Sequence, residues 1–199
     1  MSKLHRTIAL ACLLVGGAAH ADSITDQLDQ AKKYYQEGDI AGAIGELEFV
    51  LQEIKGKIGE AYIATFPEAP AGWTTDAVSQ EGGMPGITGT MLTRTYSQTD
   101  GSGKIEAKLM TGGGFMQGLA QMFMNPQMLA AQPNAKRVRL GKENAVVTFD
   151  PANKSGQLMV DVGGKVSLML EGSGLAASDP LTAIAGKWDF KKVREIAGL

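Results

Sequence analysis

The residues of this chain most suggestive of chemistry are closely spaced glycines and thioethers. Thr111 to Met128 reads TGGGFMQGLAQMFMNPQM, inside a stretch with no charged residue from Leu109 to Ala135. Gly112, Gly113, Gly114 and Gly118 fall between an expected strand and an expected helix, where a phosphate cradle would sit. Their spacing is not GxGxxG, and no Gly-Lys-Ser/Thr follows to hold terminal phosphates. Met116, Met122, Met124 and Met128 offer soft thioethers that suit Cu(I). Met122 and Met124, however, project about 200° apart on a helix. Methionine also fills irregular cores and forms adaptable binding surfaces. On the same expected helix Gln117, Gln121 and Asn125 make one narrow polar stripe. The apolar remainder, including Phe115, Leu119, Met122 and Phe123, suits either a buried helix or an exposed surface that docks an apolar ligand or partner.

Other reactive groups are sparse. Lys3 and Arg6, the apolar run Ile8 to Val15 and the small residues ending in Ala19-His20-Ala21 have the layout of a secretory signal peptide, with cleavage expected before Asp22. Cys12, His5 and His20 leave with that segment, so the mature chain has no cysteine and no histidine. Thiolate chemistry, Ser-His or Cys-His nucleophiles, disulfides and ordinary zinc sites are excluded on that reading. Without Lys3 and Arg6, 17 Lys and Arg face 21 Asp and Glu, a balance that argues against nucleic acid. The carboxylates, such as Glu46, Glu48, Glu53, Glu60, Asp179 and Asp189, show no spacing of a paired acid–base site. Asp150 to Gln157, DPANKSGQ, starts like a calcium loop but lacks its later acidic ligands and reads as a turn. Two basic clusters, Lys136 to Lys142 and Lys187 to Arg194, read as solvated edge charge.

Three segments must position these residues. Asp22 to about Ala64 has a helical pattern, and Ala31, Tyr34, Gly38, Ala43 and Leu47 place small, aromatic, turn, small and large residues at the offsets of one helical repeat. Gly38 and Asp39 form the expected turn, Asp39 capping the second helix. The segment resembles a single tetratricopeptide (TPR) helical hairpin, departing from that family at Gln27 and in lacking a proline after Val50. One such unit cannot bury its own face, so the hairpin is expected either to pack on the rest of its own chain or to dock a partner.

Phe66 to Gly72, with Pro67 and Pro70, reads as a linker. From Trp73 onward strands are expected at Thr90 to Ser97, Lys104 to Met110, Arg137 to Leu140, Asn144 to Phe149, Gln157 to Val162 and Lys165 to Glu171. Short helices are expected at Leu181 to Ala185 and Phe190 to Ile196, capped by Asp179 and Asp189. The expected fold class is therefore α+β: an N-terminal helical hairpin plus an antiparallel β-sheet domain of five or six strands with packed helices. The boundaries are 1–21 for the signal peptide, 22–65 for the TPR-like hairpin, 66–72 for the Pro-rich linker and 73–199 for the sheet domain. By element order the last domain is similar to the α/β sandwich of PsbP-type proteins, a resemblance that implies a fold and no function.

The expected function is that of an exported periplasmic, non-enzymatic binding or adaptor protein. It has no cofactor, no nucleic-acid partner and no stable membrane insertion. It docks a protein through apolar surface. The candidate binding residues are Phe115, Met116, Leu119, Met122, Phe123 and Met128, with Tyr34 and Tyr35 on the hairpin. The alternative is a carrier or sensor of a small apolar ligand, such as a lipid, or of a soft metal such as Cu(I).

Overall fold

The computed structural model describes residues 23–81, 89–112, 118 and 134–199. Their contacts divide the chain into two compact units, Met1–Ile54 and Lys55–Leu199.

In the first unit, helix α1 spans Ser23–Glu37 and helix α2 begins at Ile40 and runs to Ile63, past the division. Gly38 turns the chain between them with φ +84°, a left-handed conformation that only glycine adopts without strain. The Asp39 carboxylate then accepts from the Gly42 amide at 2.9 Å, satisfying one of the orphan donors at the start of α2. The helices run antiparallel: Tyr34 lies over Gly42 near the turn, and the Ser23 hydroxyl donates to Glu53 at 2.8 Å at the far end. Ala31, Ala43 and Val50 are buried, whereas larger side chains are not.

The second unit is built on an eight-stranded antiparallel sheet: β1 (Trp73–Thr75), β2 (Ser79–Glu81), β3 (Met91–Gln98), β4 (Lys104–Thr111), β5 (Ala135–Leu140), β6 (Glu143–Asp150), β7 (Ser155–Val162) and β8 (Val166–Ser173). The spatial order is β1-β3-β4-β8-β7-β6-β5, with β2 also paired to β3. The six longer strands are those the alternation of apolar and polar residues predicts. The short β1 and β2 both line the outer edge of β3, Trp73 opposite Gln98 and Ser79 opposite Thr93. Gly163 and Gly164, at φ +60° and +68°, make the tight turn that joins β7 to β8.

Alternation sets two faces. On one, Ile105, Ala107 and Leu109 of β4 join Leu158 and Val160 of β7 and Leu168 and Leu170 of β8, all fully buried. Helices α3 (Asp179–Ala185) and α4 (Phe190–Ile196) add Leu181, Ile184 and Val193 to that core. Gly156 and Gly172 are register partners, and a Cβ on Gly172 would collide with Leu175 and stand 3.2 Å from a Leu181 methyl. Two missing side chains thus make the trough in which α3 sits. Asp189 caps α4, accepting from the Lys192 amide at 2.9 Å. For α3 the cap position belongs to Ser178 rather than to Asp179, which lies inside the first turn, and the Ser178 side chain makes no capping bond among the described residues.

The last turn of α2 belongs to this core. Tyr62 and Phe66 are buried in it, and the Phe66 and Trp188 rings lie 4.5 Å apart. The Trp188 indole N–H donates to Thr65 Oγ1 at 3.0 Å, and the Thr65 hydroxyl donates to the Tyr62 carbonyl at 2.7 Å. Beyond it the Pro67 carbonyl accepts from the Tyr96 hydroxyl at 2.7 Å and from Arg94 at 3.2 Å. The extended segment after α2 is therefore held against β3.

Candidate functional site

The helix that carries the first candidate surface begins at a capped turn and presents a regular apolar seam. Ile40, Ile44, Leu47, Leu51 and Ile54 are spaced 4, 3, 4 and 3 residues apart on α2, and each is between 38% and 53% exposed. That spacing averages 3.5 residues and keeps one line of side chains on one side of a gently supercoiled helix. In the sequence it continues to Ile58. Leu28 on α1 is likewise exposed. Between Ser23 and Ile54 the buried side chains are those of Ala31, Ala43 and Val50, so this part of the hairpin hides its smaller side chains and turns its larger ones outward. Glu48 stands one turn from both Ile44 and Leu51 and borders the seam with a carboxylate.

Of the residues singled out in the sequence, Phe115, Met116, Leu119, Met122, Phe123 and Met128 lie outside the described residues, as do Gly113 and Gly114. Gly112 closes β4 with φ +78°. Tyr34 is half-buried over Gly42, and Tyr35 is 68% exposed. The five seam residues were not among those candidates. Their 4-3-4-3 spacing was visible in the sequence; their exposure was not.

A second candidate is a cavity of about 570 Å³ in the second unit, lined by Lys142, Glu143, Trp188, Phe190, Arg194 and Leu199 among others. Its size falls within the range of small-molecule sites. Glu143, almost wholly buried, is held by Arg194 at 3.2 Å, so the buried carboxylate on its wall is paired.

The other face of the sheet carries a third group. Register pairs Met91 with Met110 and Met159 with Met169, on neighbouring positions of one face. Met110 pairs with Ser167, two residues before Met169 on β8. The Met169 sulfur accepts from Gln157 at 2.9 Å. On the same face Lys108 bridges Glu106 at 2.8 Å and Glu171 at 2.7 Å. Burial pulls the Lys108 ammonium down, but the two carboxylates outweigh it and hold its pKa above the ordinary lysine value. Glu106, bonded to that ammonium, is held below the ordinary carboxylate value. A lysine kept protonated in this way is a poor nucleophile and a good cross-strand staple. Among the described residues no three His, Cys, Asp or Glu side chains converge as a metal site. Among the same residues no helix is long and apolar enough to cross a membrane.

Compared with protein families, curated proteins and solved structures, the chain matches none.

Proposed function

We propose that this chain is an exported periplasmic adaptor that binds a protein partner through the apolar seam of α2 and carries out no covalent chemistry. The observation that carries the reading is the row Ile40, Ile44, Leu47, Leu51 and Ile54, half-exposed at coiled-coil spacing. Covering the exposed half of one such side chain contributes about 1 kcal/mol, so a partner helix gains substantially from the whole row. The TPR-like offsets support the same use, because such units bury their faces only by stacking. Export rests on the signal-peptide pattern of residues 1–21.

A photocrosslinking residue at position 47 of the chain, expressed in its own cell envelope, tests the reading. The expected result is one discrete adduct with another protein, absent when the probe is at Ser102 and lost on Leu51→Glu. Adducts of equal yield from both positions would refute it.

The cavity beside Trp188 and the four register-paired methionines support a second reading, a carrier of a small apolar ligand or of Cu(I). Native mass spectrometry of the purified mature chain distinguishes it. A bound ligand or copper mass favours the carrier, and a clean apo mass favours the adaptor.

A further inference from the structure

We infer that the partner seated on α2 is a basic amphipathic helix, with apolar residues at 3-4 spacing and Lys or Arg along their flanks; this rests on the docking reading above. A helix is the shape that fits. The seam from Ile40 to Ile54 is a narrow line about 21 Å long at 1.5 Å per residue, and a 3.5-residue repeat stays in register only with another helix wound around it.

Charge selects the partner's chemistry. From Ser23 to Ile63 the two helices and the turn between them hold eight carboxylates and four lysines, whereas Ala64 to Leu199 holds 13 Lys and Arg against 12 Asp and Glu. Negative charge is thus concentrated on the hairpin, and Glu48 borders the seam itself. A second copy would bring two acidic hairpins together, and an anionic lipid surface would repel this one. A helix flanked by Lys or Arg meets the opposite sign, and that attraction steers encounter and weakens with salt.

The test uses the mature chain and two synthetic probe peptides, each three heptads long with Ile and Leu at the core positions. One carries Lys at the flanking positions and the other Glu, and binding is read by fluorescence anisotropy. The Lys peptide should bind at least about tenfold more tightly than the Glu peptide, with affinity falling as salt rises. Glu46→Lys, Glu48→Lys and Glu53→Lys together should narrow or invert that preference. Leu47→Ser with Leu51→Ser should abolish binding of both, with circular dichroism confirming that the helices persist. Equal binding of the two peptides would overturn the basic-partner inference and leave docking standing. Failure of both to bind would overturn docking as well. Sedimentation velocity showing a dimer that the serine pair dissolves would assign the seam to a second copy. Seam-dependent binding to anionic vesicles would assign it to a membrane.

Discussion

Removing the hydroxyl of Thr65 isolates a single buried donor. The Trp188 indole N–H has Thr65 Oγ1 as its partner at 3.0 Å, and both residues are buried. In Thr65→Val the side chain keeps its shape and the N–H loses its acceptor. The Tyr62 carbonyl still accepts from the Thr65 backbone amide at 2.9 Å, so one group alone is orphaned. A buried donor left without a partner costs about 1–3 kcal/mol. Trp188→Phe removes the donor and part of the ring packed on Phe66, a loss of packing that Thr65→Val does not share. Once the indole is gone, valine at position 65 should cost little, so the double variant should be more stable than the two single losses added together, by about 1 kcal/mol or more. Urea unfolding of the four proteins, followed by tryptophan-independent circular dichroism with the slope held in common, measures this coupling. Strictly additive losses would refute the claim that this bond ties the end of α2 to the sheet core.

Other positions give equally direct tests. Gly172→Ala drives a methyl into Leu175 and Leu181 in a packed trough and should cost about 1–3 kcal/mol, read as a lowered urea midpoint. Burial pushes the Tyr96 hydroxyl up to about 12 from its ordinary value of 10.0, against the lowering effect of the Arg94 guanidinium. The folded state resists losing that proton, so the stability contribution is intact below pH 10 and disappears as pH rises toward 12; the whole difference corresponds to roughly 3 kcal/mol. Tyr96→Phe should flatten that decline in denaturant titrations between these values, and an unchanged decline would show that other groups cause it. The Gln27 amide oxygen is buried without a partner among the described residues, so Gln27→Leu should raise the melting temperature by an amount equivalent to about 1 kcal/mol.

How much of this was legible in the sequence follows from which forces act locally. Strands such as Lys104–Thr111 announce themselves because Ile105, Ala107 and Leu109 alternate with polar neighbours. Phe190–Ile196 is bounded by its own cap, Asp189. β1 and β2 fall outside the strands that alternation predicts, because three residues show no period and their ladder bonds are dictated by β3. The place of Phe66 in the core is likewise set by Trp188, more than a hundred residues away, and the Pro-rich spacing after it carries no trace of that contact. At the candidate site the sequence held the 4-3-4-3 pattern, but an apolar line on a helix has the same spacing whether it faces a core or solvent. Exposure of Leu47 and Leu51 is a tertiary property. The Met-rich candidates from Phe115 to Met128 rest on charge-free composition and on the polar stripe of Gln117, Gln121 and Asn125, a pattern that is the same for a buried helix and for a docking surface.

The measurement that bears most directly on the adaptor reading is the thermal and urea stability of Leu47→Ser with Leu51→Ser, set beside crosslinking from position 44 in the same background. A docking seam predicts folding stability within about 0.5 kcal/mol per site of the parent, as for surface positions, together with loss of the crosslinked partner. A loss of about 2–5 kcal/mol at each site, the cost of emptying a core position, with crosslinking unchanged, would contradict it and make the seam part of the protein's own interior.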